Sequence, residues 1–98
     1  MSIDPAAMTA QRIRITGLVQ GVGYRAWAAG HANQLGIDGW VRNRIDGSVE
    51  ILAVGPTAKV AELAELCRAG PRLARVDEVR MEATPGIVAR GFTFKPTV

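Results

Sequence analysis

The sequence predicts one small α+β domain built in the order β-α-β-β-α-β. Three observations support this prediction: short runs that alternate polar and apolar residues, two longer segments with apolar residues at helical spacing, and breaks rich in glycine or proline between them. The 98 residues suffice for a single hydrophobic core. This order is that of the split βαβ, or ferredoxin-like, plan, a two-layer sandwich whose two helices cover one face of an antiparallel sheet.

Local signals place each element along the chain. The strands show polar–apolar alternation or β-branched residues, and the helices show an apolar stripe. The strands are predicted at residues 12–19, 37–44, 48–54 and 75–82, and the helices at residues 24–35 and 57–69. Gly36 and Gly70 end the two helices. Asp46-Gly47 predicts a two-residue hairpin turn between the second and third strands.

The two ends of the chain are less regular than its middle. Residues 1–10 contain a proline and several small residues, so they are predicted to be a loose leader before a domain at residues 11–98. Residues 91–95 place Phe92 and Phe94 on one side of an extended segment. They predict a short fifth strand at an edge of the sheet.

Composition limits the classes of function. Apolar residues make up 48% of the chain and charged residues 21%, values typical of a folded domain. The formal net charge of +3 favours anionic ligands. No run of five like charges occurs, so no basic tail indicates polynucleotide binding. A nucleic-acid partner is therefore not expected.

The cysteine count and the apolar segments indicate a compartment. Cys67 is the single cysteine, so an intrachain disulfide and a site built from several thiolates are both excluded. No apolar stretch approaches the roughly 20 residues that cross a bilayer, and the N-terminus lacks the pattern of a signal peptide. We expect a cytoplasmic protein with no membrane partner. His31 has no second histidine or thiol at ligand spacing, and no metal is expected.

The stretch from Gly17 to Arg25, Gly-Leu-Val-Gln-Gly-Val-Gly-Tyr-Arg, contains the strongest functional signal. It joins the first strand to the first helix and places Arg25 where that helix begins. A cation there is unfavourable by itself, because the first helical turn carries unpaired N–H groups and partial positive charge. A bound anion satisfies the guanidinium and these N–H groups together. The predicted anion-binding residues are Gln20, Gly21, Val22, Gly23, Tyr24 and Arg25.

The predicted topology brings a second polar group to the same place. In a split βαβ unit the first two strands run parallel with the third between them. The C-terminal ends of the first two strands therefore lie at the same end of the sheet. The loop 20–25 follows the first strand, and Asn43 closes the second. Two strand spacings of about 4.8 Å leave roughly 10 Å between the backbones. A phosphate and an attacking water fit such a gap.

Taken together, these segments resemble the acylphosphatase family. The matching residues are Gly17–Arg25, Ala32–Ile37, Gly39–Asn43, Asp46–Glu50, and the later Gly70-Pro71 with Ala74–Val76. The similarity extends from the first strand to Phe94, nearly the whole chain. A glycine loop alone is a weak signal, but this loop followed at this distance by Gly-Trp-Val-Arg-Asn is specific.

The resemblance implies an activity and a role for two side chains. It implies a small free-standing enzyme, a monomer without cofactor or metal, whose partner is a small acyl phosphate that it hydrolyses. In the family the loop arginine binds the substrate phosphate and corresponds to Arg25, whereas the asparagine of the second motif orients the nucleophilic water and corresponds to Asn43. Because an amide is not a base at neutral pH, a phosphate oxygen of the substrate is expected to accept the proton of the water.

Other phosphate chemistries lack their signatures here. The loop has no Gly-Lys followed by serine or threonine, as a Walker A loop requires, and Gly21-Val22-Gly23 lacks the third glycine of a dinucleotide fingerprint. Cys67 lies in the middle of a predicted helix and not at the start of the loop, where a cysteine phosphatase needs its thiol.

Two alternatives to an enzyme are a binding module for RNA and a binding domain for a small anion. An RNA-binding ferredoxin-like module needs aromatic residues on its two central strands, and the predicted strands at 12–19 and 48–54 offer none. A non-catalytic anion-binding domain, of the acylphosphatase-like kind found at the front of larger carbamoyl-transfer proteins, is disfavoured by the shortness of the chain. The enzyme is therefore the favoured interpretation.

Overall fold

The computed structural model describes residues 7–86 and 88–98. The strands within them are β1 (Met8–Leu18), β2 (Asp38–Asn43), β3 (Val49–Pro56), β4 (Arg75–Ala83) and β5 (Phe92–Phe94), and the helices are α1 (Tyr24–Gln34) and α2 (Thr57–Ala69). The strands form one sheet in the order β4-β1-β3-β2-β5, and both helices pack on the same face of it. The predicted α+β, ferredoxin-like sandwich is confirmed.

The sequence predicted an antiparallel sheet, but the observed sheet is mixed. β1 pairs antiparallel with β3 and β4, and β2 pairs antiparallel with β3, but β5 runs parallel to β2. The reason is the position of β4 and β5 at opposite edges. β4 ends beside the beginning of β1, at the end of the sheet where β2 also begins. The chain crosses there to the far edge, so β5 starts level with β2 and runs in the same direction.

The first strand is longer than the sequence predicts. β1 begins at Met8, and residues 8–10 of the predicted leader pair with the end of β3. Their own sequence shows no strand pattern, and pairing with the extended end of β3 supplies the hydrogen bonds that hold them. Residues 1–6 of the predicted leader lie outside the described residues, and the domain boundary at residue 11 stays a prediction.

The β2–β3 turn has a three-residue loop, so the two-residue prediction was wrong. The N–H of Arg44 donates to the carbonyl of Ser48 (2.9 Å), and the N–H of Gly47 donates back to the carbonyl of Arg44 (3.0 Å). Gly47 has a φ of +95°, as expected for the glycine that follows a tight turn in a bulged hairpin. Asp46 Oδ1 accepts hydrogen bonds from the N–H (2.9 Å) and the hydroxyl (2.6 Å) of Ser48. This capping by Asp46 favours the longer loop.

The core lies between the sheet and the two helices. Alternate residues of the central strands, such as Ile13, Ile15 and Ile51, are fully buried against the helices. The predicted apolar stripe of α2 is also confirmed, and its buried residues are Val60, Leu63, Ala64 and Cys67. Tyr24 joins the two helices, because its hydroxyl donates a 2.7 Å hydrogen bond to the carbonyl of Cys67.

The sheet face turned away from the helices is termed here the open face, and it is rich in charge. Glu50 lies at its centre with a side chain only 5% exposed. Its Oε1 accepts hydrogen bonds from Arg42 Nε (2.7 Å) and Arg44 Nη1 (3.0 Å), and its Oε2 lies 3.5 Å from Arg12 Nε. Burial alone would raise the pKa of Glu50, but the hydrogen bonds and charges of Arg42 and Arg44 outweigh it, so the pKa lies below its usual value.

Replacing Glu50 by glutamine is expected to lower the free energy of unfolding by about 2 kcal/mol at neutral pH, because the arginines lose their shared carboxylate. A carboxyl whose pKa is lowered by folding stabilises the protein above its unfolded pKa, about 4.3 for glutamic acid, and that contribution is lost as the pH falls through the folded pKa. The stability difference between Glu50→Gln and wild type should therefore shrink at acid pH in urea titrations. Glu62→Gln, on the exposed side of α2, is the control. An equal difference at pH 3 and pH 7 would contradict this account.

Candidate active site

The loop between β1 and α1 leaves a row of backbone donors free. Gly21 and Gly23 have φ values of +74° and +79°, a region that residues with a side chain rarely adopt. They turn the chain into α1, where Gly23 is the N-cap residue and no side chain caps the helix. Within the described residues, none of the N–H groups from Gly21 to Ala26 has a hydrogen-bond partner. An anion is the ligand that such a row of donors suits.

A cavity of about 280 Å³ opens at this point. Its lining is drawn from the loop, the start of α1, the end of β2 and β5: Val19, Gln20, Gly21, Gly23, Tyr24, Arg25, Ala26, Asn43 and Phe94. Arg25 and Asn43, which are 18 positions apart in sequence, therefore lie in the same cavity. As predicted, the loop 20–25 and Asn43 come together at one end of the sheet.

Arg25 is the cation of the cavity. It lies in the first turn of α1, its side chain is exposed, and α1 has no acidic residue in that turn. No carboxylate among the described residues forms an ion pair with it. Its guanidinium can therefore form a bidentate contact with an oxyanion, in the two-pronged geometry that lysine lacks.

Asn43 contributes a hydrogen-bond acceptor, in contrast to the donors of the loop and Arg25. Its Oδ1 is buried and has no hydrogen-bond partner among the described residues. Buried acceptors are nearly always satisfied in folded proteins, so an orphaned one calls for a specific explanation. Asn43 lines the same cavity as Arg25, so this unpartnered acceptor belongs to a residue beside the groups that suit an anion.

Gln20 holds the two halves of the site together. Its side-chain Nε2 donates to the carbonyl of Arg44 (2.8 Å) and to the carbonyl of Ser48 (2.9 Å). These carbonyls belong to the β2–β3 hairpin, immediately after Asn43. The sequence predicted Gln20 only as a member of the anion-binding loop, because nothing local indicates which distant carbonyls its amide will reach. The side chain thus fixes the loop relative to Asn43.

Replacing Gln20 by methionine is expected to lower kcat about tenfold or more while KM changes little. A small displacement of Asn43 relative to the loop would misplace the nucleophilic water but leave the anion-binding groups intact. The loss of two hydrogen bonds should also lower the free energy of unfolding by about 1–2 kcal/mol. Steady-state kinetics and urea titration measure both effects. Gln34→Met, at the exposed end of α1, is the matched control. A loss of stability without any fall in kcat would show that the side chain is structural only.

Two residues of the predicted loop use their side chains elsewhere. The side chain of Val22 packs against the core and does not line the cavity. The hydroxyl of Tyr24 is occupied by its bond to the carbonyl of Cys67, and burial, followed by the influence of Cys67, raises the pKa of the hydroxyl far above its usual value. Neither side chain therefore offers a free polar group to the cavity.

Three residues of the cavity, Val19, Ala26 and Phe94, were not predicted from the sequence, and Phe94 is the one most distant from the loop in the chain. It lies on β5 opposite Val41 of β2, and the residue is 55% exposed. The sequence indicated a short edge strand but not its partner. Parallel pairing of β5 with β2 brings Phe94 near the end of the strand that presents Asn43.

Neither a metal cluster nor a membrane-spanning helix is found in the part of the chain that the structure describes. No group of three or more histidine, cysteine, aspartate or glutamate side chains in residues 7–86 and 88–98 is placed to hold a metal ion. Neither α1 nor α2 has the length and apolar content that a bilayer crossing requires.

The chain is similar to known proteins both in sequence and in structure. The acylphosphatase family model matches residues 11–94. An acylphosphatase from Rhizorhabdus wittichii is 56% identical over 89 residues, covering 91% of this chain and 90% of the relative. Solved acylphosphatase structures from Coxiella burnetii (TM-score 0.86, 31% identity, 90% and 93% of the two chains) and Bacillus subtilis (TM-score 0.83, 31% identity, 91% and 99%) share the fold. The chain belongs to the acylphosphatase family.

Proposed function

We propose that Arg25, the backbone N–H groups of the loop and Asn43 together perform the hydrolysis of acyl phosphates in this acylphosphatase. The substrate is a mixed anhydride of a carboxylic and a phosphoric acid. The oxygen of a water molecule forms a bond to phosphorus, and the bond from phosphorus to the bridging oxygen breaks. The carboxylate leaves with the electron pair of that bond, and the proton of the water passes to a phosphate oxygen. The products are a carboxylate and inorganic phosphate.

The anion-binding half of the site holds the phosphoryl group. The unpaired N–H groups from Gly21 to Ala26 point positive partial charge at its oxygens, and Arg25 binds two of them at once. Because a carboxylate leaves without the help of a strong acid, the enzyme needs mainly to neutralise charge on the transferred group and to align the water. Both tasks match what the cavity offers.

Asn43 holds the nucleophile. A water that donates one hydrogen to the buried Oδ1 has a lone pair free to face phosphorus. The observation on which this proposal rests is that Asn43, whose Oδ1 has no partner among the described residues, and most of the loop residues with unpaired N–H groups line one cavity of about 280 Å³. An acceptor for the water and donors for the phosphate are thus placed side by side.

The remaining wall of the cavity suits the acyl group. Phe94 presents an exposed aromatic ring beside the polar groups, so the carbon part of the substrate can pack against it. We further propose a monomer that acts in the cytoplasm, supported by the single cysteine and by the binding of a small substrate within one chain.

The experiment that tests the function is hydrolysis of acetyl phosphate in water labelled with a heavy oxygen isotope. Attack at phosphorus places the label in inorganic phosphate, whereas attack at the carbonyl carbon places it in acetate. We expect label in phosphate, competitive inhibition by inorganic phosphate, and full activity in the presence of a chelator. Label in acetate or loss of activity with the chelator would contradict the mechanism. Absence of turnover would favour a non-catalytic anion-binding domain.

A further inference from the structure

A second and larger cavity lies on the open face of the sheet, on the side away from the helices. It is a groove of about 680 Å³, and its lining residues are Arg12, Arg14, Arg44, Glu50, Arg80, Met81 and Glu82. Neither Arg25 nor Asn43 takes part in it. The proposed hydrolysis leaves this groove without a role.

Two arginines of the groove are placed against each other. Arg14 of β1 is directly opposite Arg80 of β4 in the antiparallel register. Like charges at such a position destabilise a sheet. The Nε of Arg14 is moreover buried and has no hydrogen-bond partner among the described residues. The carboxylate that pairs with Arg14 is that of Asp46, at 3.7 Å from Nη2, and its other oxygen already accepts both hydrogen bonds from Ser48.

The carboxylates of the groove do not balance its cations. Glu50 is shared by three arginines, with Arg42 and Arg44 as its two hydrogen-bond donors. Glu82 lies 3.6 Å from Arg12 and is exposed. Four guanidinium groups and two carboxylates line the groove, so the net charge of the lining is +2. Outside the lining, Asp46 lies 3.7 Å from Arg14 and Glu78 lies 3.1 Å from Arg80, so these two cations are each partly compensated. The groove is therefore complementary to a negatively charged ligand.

We propose that this groove binds a compact, multivalent oxyanion of the linear phosphoanhydride class, for which inorganic triphosphate is the probe. Guanidinium groups match phosphate oxygens in two-pronged contacts. An oxyanion between Arg14 and Arg80 removes their repulsion and supplies the acceptor that Arg14 Nε lacks. Several clustered negative charges suit four cations that converge on one groove.

The lining argues against an extended polymer as the occupant. A single-stranded nucleic acid needs aromatic platforms for its bases, and no aromatic residue is among the described residues that line the groove. Trp40 lies on the open face but is covered by the guanidinium of Arg42, 4.6 Å from the ring centre. The ligand is recognised by charge and not by stacking.

Calorimetric titration of inorganic triphosphate into the Arg25→Ala variant tests the proposal, because that substitution removes the main cation of the active site. We expect a single site and much weaker binding of inorganic phosphate. Arg14→Gln and Arg80→Gln should each weaken triphosphate binding about tenfold. Glu82→Gln should strengthen it about threefold, because it raises the net charge of the lining.

Matched substitutions on the opposite layer separate a built site from general charge. Arg68→Gln and Glu62→Gln, both on α2, change the net charge by the same amounts and should leave triphosphate affinity unchanged. Arg80 is an exposed residue, so its variant should fold even if Arg14→Gln does not. Unchanged affinity in Arg80→Gln, or an equal loss in Arg68→Gln, would overturn the proposal. Tight binding of a single-stranded RNA that exceeds triphosphate binding would overturn it in favour of a nucleic-acid surface.

Discussion

Replacing Arg25 by alanine is expected to lower kcat/KM for an acyl phosphate by about 1000-fold or more. The guanidinium is the cation of the cavity, and its charge-assisted hydrogen bonds strengthen as negative charge shifts among the phosphoryl oxygens in the transition state. Part of the same interaction exists in the ground state. The inhibition constant for inorganic phosphate should therefore rise together with the loss of turnover, and both follow from steady-state kinetics with phosphate as competitor.

Arg25→Lys separates charge from geometry. Lysine keeps the positive charge but not the planar pair of donors, so we expect this variant to bind phosphate better than Arg25→Ala and still to turn over far more slowly than wild type. Arg90→Ala is the control, because Arg90 precedes the β2–β5 contact at the opposite end of the sheet. Similar losses in Arg90→Ala and Arg25→Ala would mean that net charge, and not a placed guanidinium, governs the rate.

The placement of Arg25 and Asn43 in one cavity could be predicted, because it depends on information that is local or topological. The cation at the start of α1 contradicts the preference of a helix N-terminus, and that contradiction is visible in the sequence. The parallel arrangement of β1 and β2 then follows from the order of elements, since a split βαβ unit places the C-terminal ends of both strands at the same end of the sheet. Neither step requires knowledge of how side chains pack.

Other features depend on contacts between distant residues, which a sequence pattern does not contain. The hydrogen bonds of Gln20 end on backbone carbonyls of the β2–β3 hairpin, and any residue type offers such a carbonyl. Phe94 enters the site through a parallel pairing that only the crossing from β4 to β5 determines. The three-residue hairpin loop is stabilised by Asp46 capping Ser48, a choice between two turns that differ little in local preference.

Asn43 offers the test that best distinguishes a catalytic group from a structural one. Asn43→Ala is expected to lower kcat about 100-fold or more, because the water is no longer held in line with phosphorus. The inhibition constant for inorganic phosphate should stay close to that of wild type, since the phosphate contacts the loop and Arg25. This separation of turnover from phosphate binding is opposite to the behaviour expected of Arg25→Ala.

The stability of the same variant gives a second, independent readout. An asparagine kept for structure loses hydrogen bonds on replacement by alanine, which lowers the free energy of unfolding. Oδ1 of Asn43 has no hydrogen-bond partner within the described protein, so its removal breaks no hydrogen bond between protein groups. Urea titration should therefore show Asn43→Ala to be close to wild type in stability.

The control for both readouts is Asn33→Ala, an exposed position on α1 where neither kcat nor stability should change. Asn43→Asp adds a further arm: a carboxylate keeps an acceptor for the water but repels the phosphoryl group, so KM should rise. A variant Asn43→Ala that is inactive and clearly destabilised would assign the residue to the architecture of β2. Loss of turnover in a fully stable protein assigns it to the water, because no interaction within the protein has then been removed.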